Sequence, residues 1–391
     1  MNVGRFKRVI LIVLDGVGVG ALPDAEQFGD ADANTLLHVA EAAGGLNLPH
    51  LQRLGLGNIC PAPGLVPVDN PAAAWGRMTE KSPGKDTTTG HWELAGLETT
   101  QPFTTYAAGF PTDFIRQFEY QIGLKTLGNI AASGTDIIRD LGEEHLRSGF
   151  PIVYTSVDSV FQIAAHESII PPERLYEICL IARRLLDPYR VGRVIARPFI
   201  GTSSGNFQRT HRRHDYSMPP SEPTLLDQLA GAELPVVGVG KISDIFAGQG
   251  VTNSLSIVDN VDGMRQIIAS LEQYDEGLVF ANLVDFDMLY GHRRDAAGFA
   301  AALARFDSWL PALQRVVNDD DLIVLTADHG CDPVTPGTDH SREFVPVLAW
   351  HNQLSVGGPL GTRASFCDVA ATIAEAFAQQ WPVGESFIES L

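Results

Sequence analysis

The stretch "RVILIVLDG" constrains the fold more than any other part of the chain. Residues Val9 to Leu14 are apolar without a break and rich in β-branched side chains, and the run stops on Asp15 and Gly16. A strand with one wet face alternates apolar and polar residues, so an unbroken run of this length reads as a strand covered on both faces. The same signature recurs at Val236 to Val239, Leu278 to Val284, Leu322 to Thr326 and Val345 to Trp350. Between these runs lie the amphipathic stretches "DGMRQIIASLEQ", "AGFAAALARFDSWL" and "CDVAATIAEAFAQQ". Buried strands alternating with helices predict an α/β fold, a mostly parallel sheet sandwiched by helices and wound by right-handed crossovers.

A chain of 391 residues exceeds what one hydrophobic core usually serves. Between about Phe103 and Met218 the pattern of a buried strand ending on an acid lapses, and the proline-containing segments "TTQPFTTYAAGFP" and "DYSMPPSEPTLLDQL" flank the gap. The expected organisation is a core from residues 1–102 and 219–391 and an inserted smaller α/β cap from 103–218. The 47 acidic against 28 basic residues leave a net charge of -19, which repels nucleic acid and anionic membranes. Nothing implies an obligate protein partner. Cys60, Cys179, Cys331 and Cys367 are scattered without paired spacing, as expected for reduced thiols of a cytoplasmic protein. Arg5, Lys7 and Arg8 ahead of an apolar run resemble an export signal, but the run is too short for one. No stretch approaches the length of a membrane span.

Open parallel sheets place their chemistry at the carboxyl ends of the strands. Here one strand ends on Asp15, a second on Asp285 and Asp287 with His292 close behind, and a third on Asp328 and His329, with His340 following. A single acid after a strand is usually a helix cap or a turn residue. Three such ends, two of them carrying imidazoles, supply the carboxylate and nitrogen donors that hold Mn²⁺, Zn²⁺ or Fe²⁺, and could hold two ions. Cys331, within the same stretch, is a possible soft ligand.

Two further features bear on phosphate. Gly84, Lys85, Asp86 and three threonines, Thr87 to Thr89, precede "GHWELAGL", which reads as a loop feeding a helix whose first amides can hold an anion. It lacks the spacing of a nucleotide-binding P-loop. A threonine hydroxyl does not ionise at neutral pH, so a nucleophile here needs a metal and a cationic neighbour such as Lys85. The residues leave open which threonine that would be. The second feature is a basic run, Arg193, Arg197, Arg209, Arg212 and Arg213, conspicuous in an acidic protein and suited to phosphate oxygens.

Taken together, "LDGVGVG", "GKDTTTGHWE", "VDFDMLYGH" and "TADHGCDPVTPGTDH" resemble the phosphopentomutase family of the alkaline phosphatase-like, two-metal phosphoryl-transfer enzymes. The resemblance spans nearly the whole chain. It implies that Asp15, Thr87, Asp328 and His329 hold one metal, that Asp287, His292 and His340 hold the other, and that Thr87 is the nucleophile. Asp285 would then be supporting. It also implies that Ser156 and Asp158 bind pentose hydroxyls, with Arg197, Arg209 and Lys241 near the second phosphate. The implied reaction interconverts ribose or deoxyribose 1-phosphate with the 5-phosphate. Its cofactors would be two Mn²⁺ ions and a glucose 1,6-bisphosphate or pentose 1,5-bisphosphate primer. Alternatives are a phosphatase or phosphodiesterase on the same scaffold and a metal-binding protein without turnover. A cofactor-independent phosphoglycerate mutase would carry serine where "KDTTTGH" has none.

Overall fold

The computed structural model describes residues 4–156 and 159–391. The chain divides into two compact units, Met1–Gln101 with Pro220–Leu391, and Pro102–Pro219.

The discontinuous unit is built on an eight-stranded sheet. In spatial order its strands are Asn253–Leu255, Val236–Val239, Gly277–Leu283, Arg8–Leu14, Asp321–Thr326, Val345–Trp350, Ala74–Met78 and Pro359–Arg363. Every residue of Arg8–Leu14, Gly277–Leu283 and Asp321–Thr326 is buried, as the unbroken apolar runs require. Helix Asn260–Gln273 packs against strand Gly277–Leu283, and Cys367–Ala376 packs on the helix Thr87–Leu94. All pairings are parallel except those of Val345–Trp350, which runs antiparallel to both neighbours. Its connection from Asp321–Thr326 contains no helix, so no crossover returns the chain to the starting edge of the sheet. That connection is the segment carrying Asp328, His329 and His340.

Strand Arg8–Leu14 lies between Gly277–Leu283 and Asp321–Thr326, with Leu14 opposite Leu283 and Val13 opposite Thr326. The three acid-bearing strand ends are therefore side by side at one edge. Arg8, which precedes the apolar run in the sequence, begins the strand and is fully buried. Its guanidinium donates to both oxygens of its register partner Asp321, at 2.9 and 2.5 Å, and to the carbonyls of Leu271 and Tyr274. A bidentate pair with its remaining donors satisfied is the arrangement under which a buried charge is tolerated.

The second unit has a mixed sheet in the order Leu127–Ala131, Ile152–Thr155, Val160–His166, Arg193–Ile200, Gln208–Arg209, with His214–Ser217 also on Arg193–Ile200. The alternation of Val160–His166 serves two cores. Phe161, Ile163 and Ala165 join Phe114 and Phe118 of helix Thr112–Ile122, while Ala164 joins Ile137 and Ile138 of helix Gly134–Ser148. Phe161 meets Phe114 and Phe118 edge to face, each with ring centroids 5.3 Å apart.

Candidate metal centre

Asp15, Asp328 and His329 place ligand atoms within 4.8 Å of one another, and so do Asp287, His329 and His340. His329 Nε2 stands 3.4 Å from Asp15 Oδ1 and 3.3 Å from Asp328 Oδ2. Asp287 faces two rings, with His340 Nε2 3.3 Å from Oδ1 and His292 Nε2 3.3 Å from Oδ2. The rings of His329 and His340 stack at 3.9 Å. The chain can bring these ends so close because Gly16 turns at φ +80° directly after Asp15. A Cβ there would lie 2.9 Å from Cys331 Cβ and 3.4 Å from Asp287 Cβ.

The donor set fits divalent cations on two independent counts. Asp15 Oδ1, Asp287 Oδ1 and Asp328 Oδ2 are buried oxygens without a hydrogen-bond partner among the described residues, and isolated buried carboxylates are otherwise costly. The imidazoles add the second count. His329 Nδ1 donates to the Gly330 carbonyl at 3.0 Å and His292 Nδ1 to that of Thr338 at 2.5 Å. In the neutral ring each Nε2 therefore carries its lone pair toward a carboxylate, which repels unless a cation lies between.

Proton affinities show the same conflict. Burial, then Asp328 and Asp287, push Asp15 up to about 8. Burial alone would lower His340, but Asp287 and Asp339 lift it to about 10. Asp287 in turn lies well below the carboxylate range, its burial being outweighed by His340 and His292. Burial brings His329 down to about 4 against the pull of Asp328.

Helix Thr87–Leu94 presents the three threonines differently. Asp86 caps it, accepting from Thr89 N at 3.1 Å and from Thr89 Oγ1 at 2.5 Å. Thr88 and Thr89 are buried, whereas the half-buried Thr87 turns Oγ1 to His329 Nε2 at 3.0 Å. Its neighbour Lys85 pairs with Asp30 at 3.0 Å and Asp339 at 3.4 Å. Lys241 stands just before the short helix Ile242–Ile245 and lowers the proton affinity of Asp15 from nearby.

Asp285 sits apart, exchanging hydrogen bonds with Asn260 at the start of helix Asn260–Gln273, at 2.8 and 3.0 Å. The buried Cys331 thiol is 4.0 Å from His292 Nδ1 and, with His292 and Asp287, forms a third group whose ligand atoms lie within 4.8 Å of one another, and burial raises its pKa far above the ordinary thiol range. In the other unit Arg193 and Arg213 pair with Asp215, and Arg212 with Glu167. Arg197 donates to Gln162 at 3.0 Å and, with Arg209, flanks the buried Tyr154. Neither makes an acidic ion pair among the described residues. Ser156 follows strand Ile152–Thr155; Asp158 lies outside the described residues.

Two residues of the centre were passed over in reading the sequence. Asn282 is the lone polar residue of "GLVFANL" and donates to Asp15 Oδ2 at 2.8 Å. His91 donates from Nδ1 to the Thr87 carbonyl at 2.9 Å, meets Asp328 Oδ2 at 3.2 Å, and turns Nε2 to Asn282 at 3.2 Å. An amide inside a doubly buried strand was the available signal.

An α/β sheet with clustered carboxylates and imidazoles at its carboxyl edge describes a metal-dependent enzyme, and residues 7–380 match the family profile of the Metalloenzyme superfamily. A protein of Pyrococcus horikoshii shares the fold, with a TM-score of 0.51 at 15% identity over 97% of this chain and 99% of its own. Among curated proteins, the phosphopentomutase of Syntrophotalea carbinolica is 58% identical over the full length of both chains. That of Carboxydothermus hydrogenoformans is 56% identical over 97% of this chain and 98% of its own. The chain belongs to the phosphopentomutase family.

Proposed function

We propose that the chain interconverts ribose 1-phosphate or 2-deoxyribose 1-phosphate with the corresponding 5-phosphate, using Thr87 as a transient phosphate carrier. The observation that carries this reading is the Thr87 hydroxyl, 3.0 Å from His329 beside three buried carboxylates with oxygens that have no hydrogen-bond partner among the described residues. Of the three adjacent threonines, Thr89 already gives its hydroxyl proton to Asp86 and Thr88 is buried.

Asp15, Thr87, Asp328 and His329 would hold one ion, and Asp287, His292 and His340 the other; Mn²⁺ suits this mixed oxygen and nitrogen set. Such ions lower the pKa of a hydroxyl and neutralise charge developing on phosphoryl oxygens. Thr87 attacks a phosphoryl group of glucose 1,6-bisphosphate or pentose 1,5-bisphosphate; the sugar oxygen leaves with the bonding pair and takes up, through solvent, a proton equivalent to the one the Thr87 hydroxyl gives up. The hydroxyl at C1 of ribose 5-phosphate then takes the phosphoryl from Thr87. The resulting 1,5-bisphosphate turns end for end and returns its 5-phosphoryl to Thr87, releasing ribose 1-phosphate. His91 and Asn282 fix the Thr87 backbone and Asp15 throughout.

Water competes with sugar for the same phosphoryl group, so a mutase must bind sugar firmly. We assign Ser156 and Asp158 to the pentose hydroxyls, and Arg197, Arg209 and Lys241 to the second phosphate, making residues 102–219 the substrate-binding cap. In that reading Lys85 screens charge near Thr87 through its pairs with Asp30 and Asp339. Reduced thiols and cytosolic sugar phosphates fit a cytoplasmic enzyme. Among the described residues no helix is long and apolar enough to cross a membrane.

The test supplies ribose 5-phosphate with a trace of glucose 1,6-bisphosphate and Mn²⁺. The expected product is ribose 1-phosphate with little free phosphate, and peptide mapping should find phosphate on Thr87 and none in Thr87→Ala. Inorganic phosphate as the main product would make the protein a hydrolase. Metal binding without labelling or turnover would make it a non-catalytic binder.

A further inference from the structure

The segment that leads into Thr87 belongs to no helix or strand from Thr79 to Asp86, yet Glu80 and Ser82 are buried and only Lys81 is exposed. Its backbone groups must therefore find partners elsewhere. They find them on two buried charges. On one side, Arg342 donates from Nη1 to the Ser82 carbonyl at 2.9 Å and the Gly84 carbonyl at 2.5 Å, and from Nη2 to the Glu80 carbonyl at 2.9 Å. On the other side, the Glu93 carboxylate accepts from Lys81 N at 2.9 and 3.1 Å and from Ser82 N at 2.7 Å.

Carbonyls at positions 80, 82 and 84 converge on the one guanidinium although the segment bends at Ser82 and Pro83, where Gly84 N also donates to the Ser82 carbonyl at 2.9 Å. The guanidinium thus supplies the donors that a neighbouring strand would give a regular segment. It is itself held by Asp24 at 3.0 Å, outside the loop, and by Glu80 Oε2 of the loop at 2.7 Å, with a side chain only 3% exposed. Its own amide donates to Asp30 Oδ2 at 2.9 Å, the oxygen that also takes Lys85 Nζ at 3.0 Å. Two residues before it stands His340, beside Asp287.

We infer that Arg342 is a positioning residue for phosphoryl transfer, tying the segment that bears His340 to the loop that delivers Thr87. The inference rests on the reading of Thr87 as phosphate carrier. Arg342 touches neither substrate nor reacting atoms; it sets where the Thr87 hydroxyl stands relative to the metal ligands. Displacement of a nucleophile by about 1 Å can cost on the order of a hundredfold in rate while leaving ground-state binding largely intact. Lysine can replace one or two of the donors but not the fork.

The experiment follows single-turnover transfer of labelled phosphate from glucose 1,6-bisphosphate to Thr87 in wild type, Arg342→Ala and Arg342→Lys. It is read beside bound-metal count, thermal unfolding and KM for ribose 5-phosphate. Arg342→Ala should slow labelling by about a hundredfold, with KM changed by less than about threefold and both ions retained. Free guanidinium should restore part of the rate. Should the alanine variant fail to fold, Arg342→Lys carries the test, with labelling slowed by about tenfold at unchanged KM. A folded Arg342→Lys or Arg342→Ala protein that labels Thr87 at the wild-type rate overturns the inference, whatever its melting temperature. Wild-type protein that takes no phosphate on Thr87 would instead defeat the carrier reading, and this inference with it.

Discussion

Thr87 Oγ1 stands 3.0 Å from His329 Nε2, joining the first residue of a helix to the end of a buried strand more than two hundred positions away. The contact depends on how closely the helix approaches. Gly90, one turn on, has no side chain, and a Cβ there would lie 2.2 Å from the Asp328 carbonyl oxygen and 3.0 Å from Asp328 Cβ. The helix rests on the backbone that carries Asp328 and His329.

Gly90→Ala should therefore push the nucleophile helix from the metal ligands. A loss of about 1–3 kcal/mol in stability is expected from overpacking, with about a hundredfold loss in kcat. Urea unfolding and a coupled assay for ribose 1-phosphate check both. Wild-type values would show that the strand end yields without cost.

His340→Ala should remove one nitrogen donor from the set around Asp287, lowering the bound Mn²⁺ count and reducing turnover by orders of magnitude. Inductively coupled plasma measurement on the dialysed protein gives the count. Two tightly held ions with full activity would take His340 out of the metal set.

Asp321→Ala leaves the Arg8 guanidinium buried without its acid, and about 3–5 kcal/mol of stability should go with it. Replacing the pair together by Met and Leu should cost far less, because no uncompensated charge remains. Comparison of denaturant midpoints decides it. Equal losses in the single and double variants would mean that packing rather than charge is at stake.

The pH dependence of the 102–219 unit should include His145. The Phe150 carbonyl at 2.7 Å requires a proton on Nδ1, and Nε2 accepts the His166 amide at 2.8 Å, so the ring is held neutral. Burial, with help from His166 and against the Phe150 contact, lowers its pKa below 6.5. The unfolded chain then binds the proton more readily, and stability falls as pH drops below about 6.5, by at most about 1.4 kcal/mol per pH unit. In His145→Gln, whose amide can both donate and accept, this component of the slope should vanish. An unchanged slope between pH 7 and 5.5 would assign it to other groups.

The buried strands were legible because an apolar run without alternation has one structural meaning. Asp15, Asp285 and Asp328 could be located at strand ends for the same reason. The antiparallel course of Val345–Trp350 was not legible, since buried parallel and antiparallel strands share a composition, and only a helix-free connection distinguishes them. Strand Ala74–Met78, "AWGRM", carries too little pattern to announce itself. Arg8 looked like a flanking charge because its partner Asp321 is 313 positions away. Arg342 and Glu93 escaped notice for a related reason. Their task is to satisfy backbone groups of a distant loop, and backbone groups leave no trace in side-chain identity.

Strand Arg8–Leu14 also has a history set by its place in the sheet. Its neighbours begin at Gly277 and Asp321. At about 5–20 residues per second of synthesis, it leaves the ribosome roughly a quarter of a minute to a minute before either neighbour exists. Throughout that interval its two hydrogen-bonding edges lack their native partners, while residues 102–219 emerge as an unbroken segment. The strand that supplies Asp15 is thus an unpaired strand edge through most of synthesis, the kind of surface that chaperones cover.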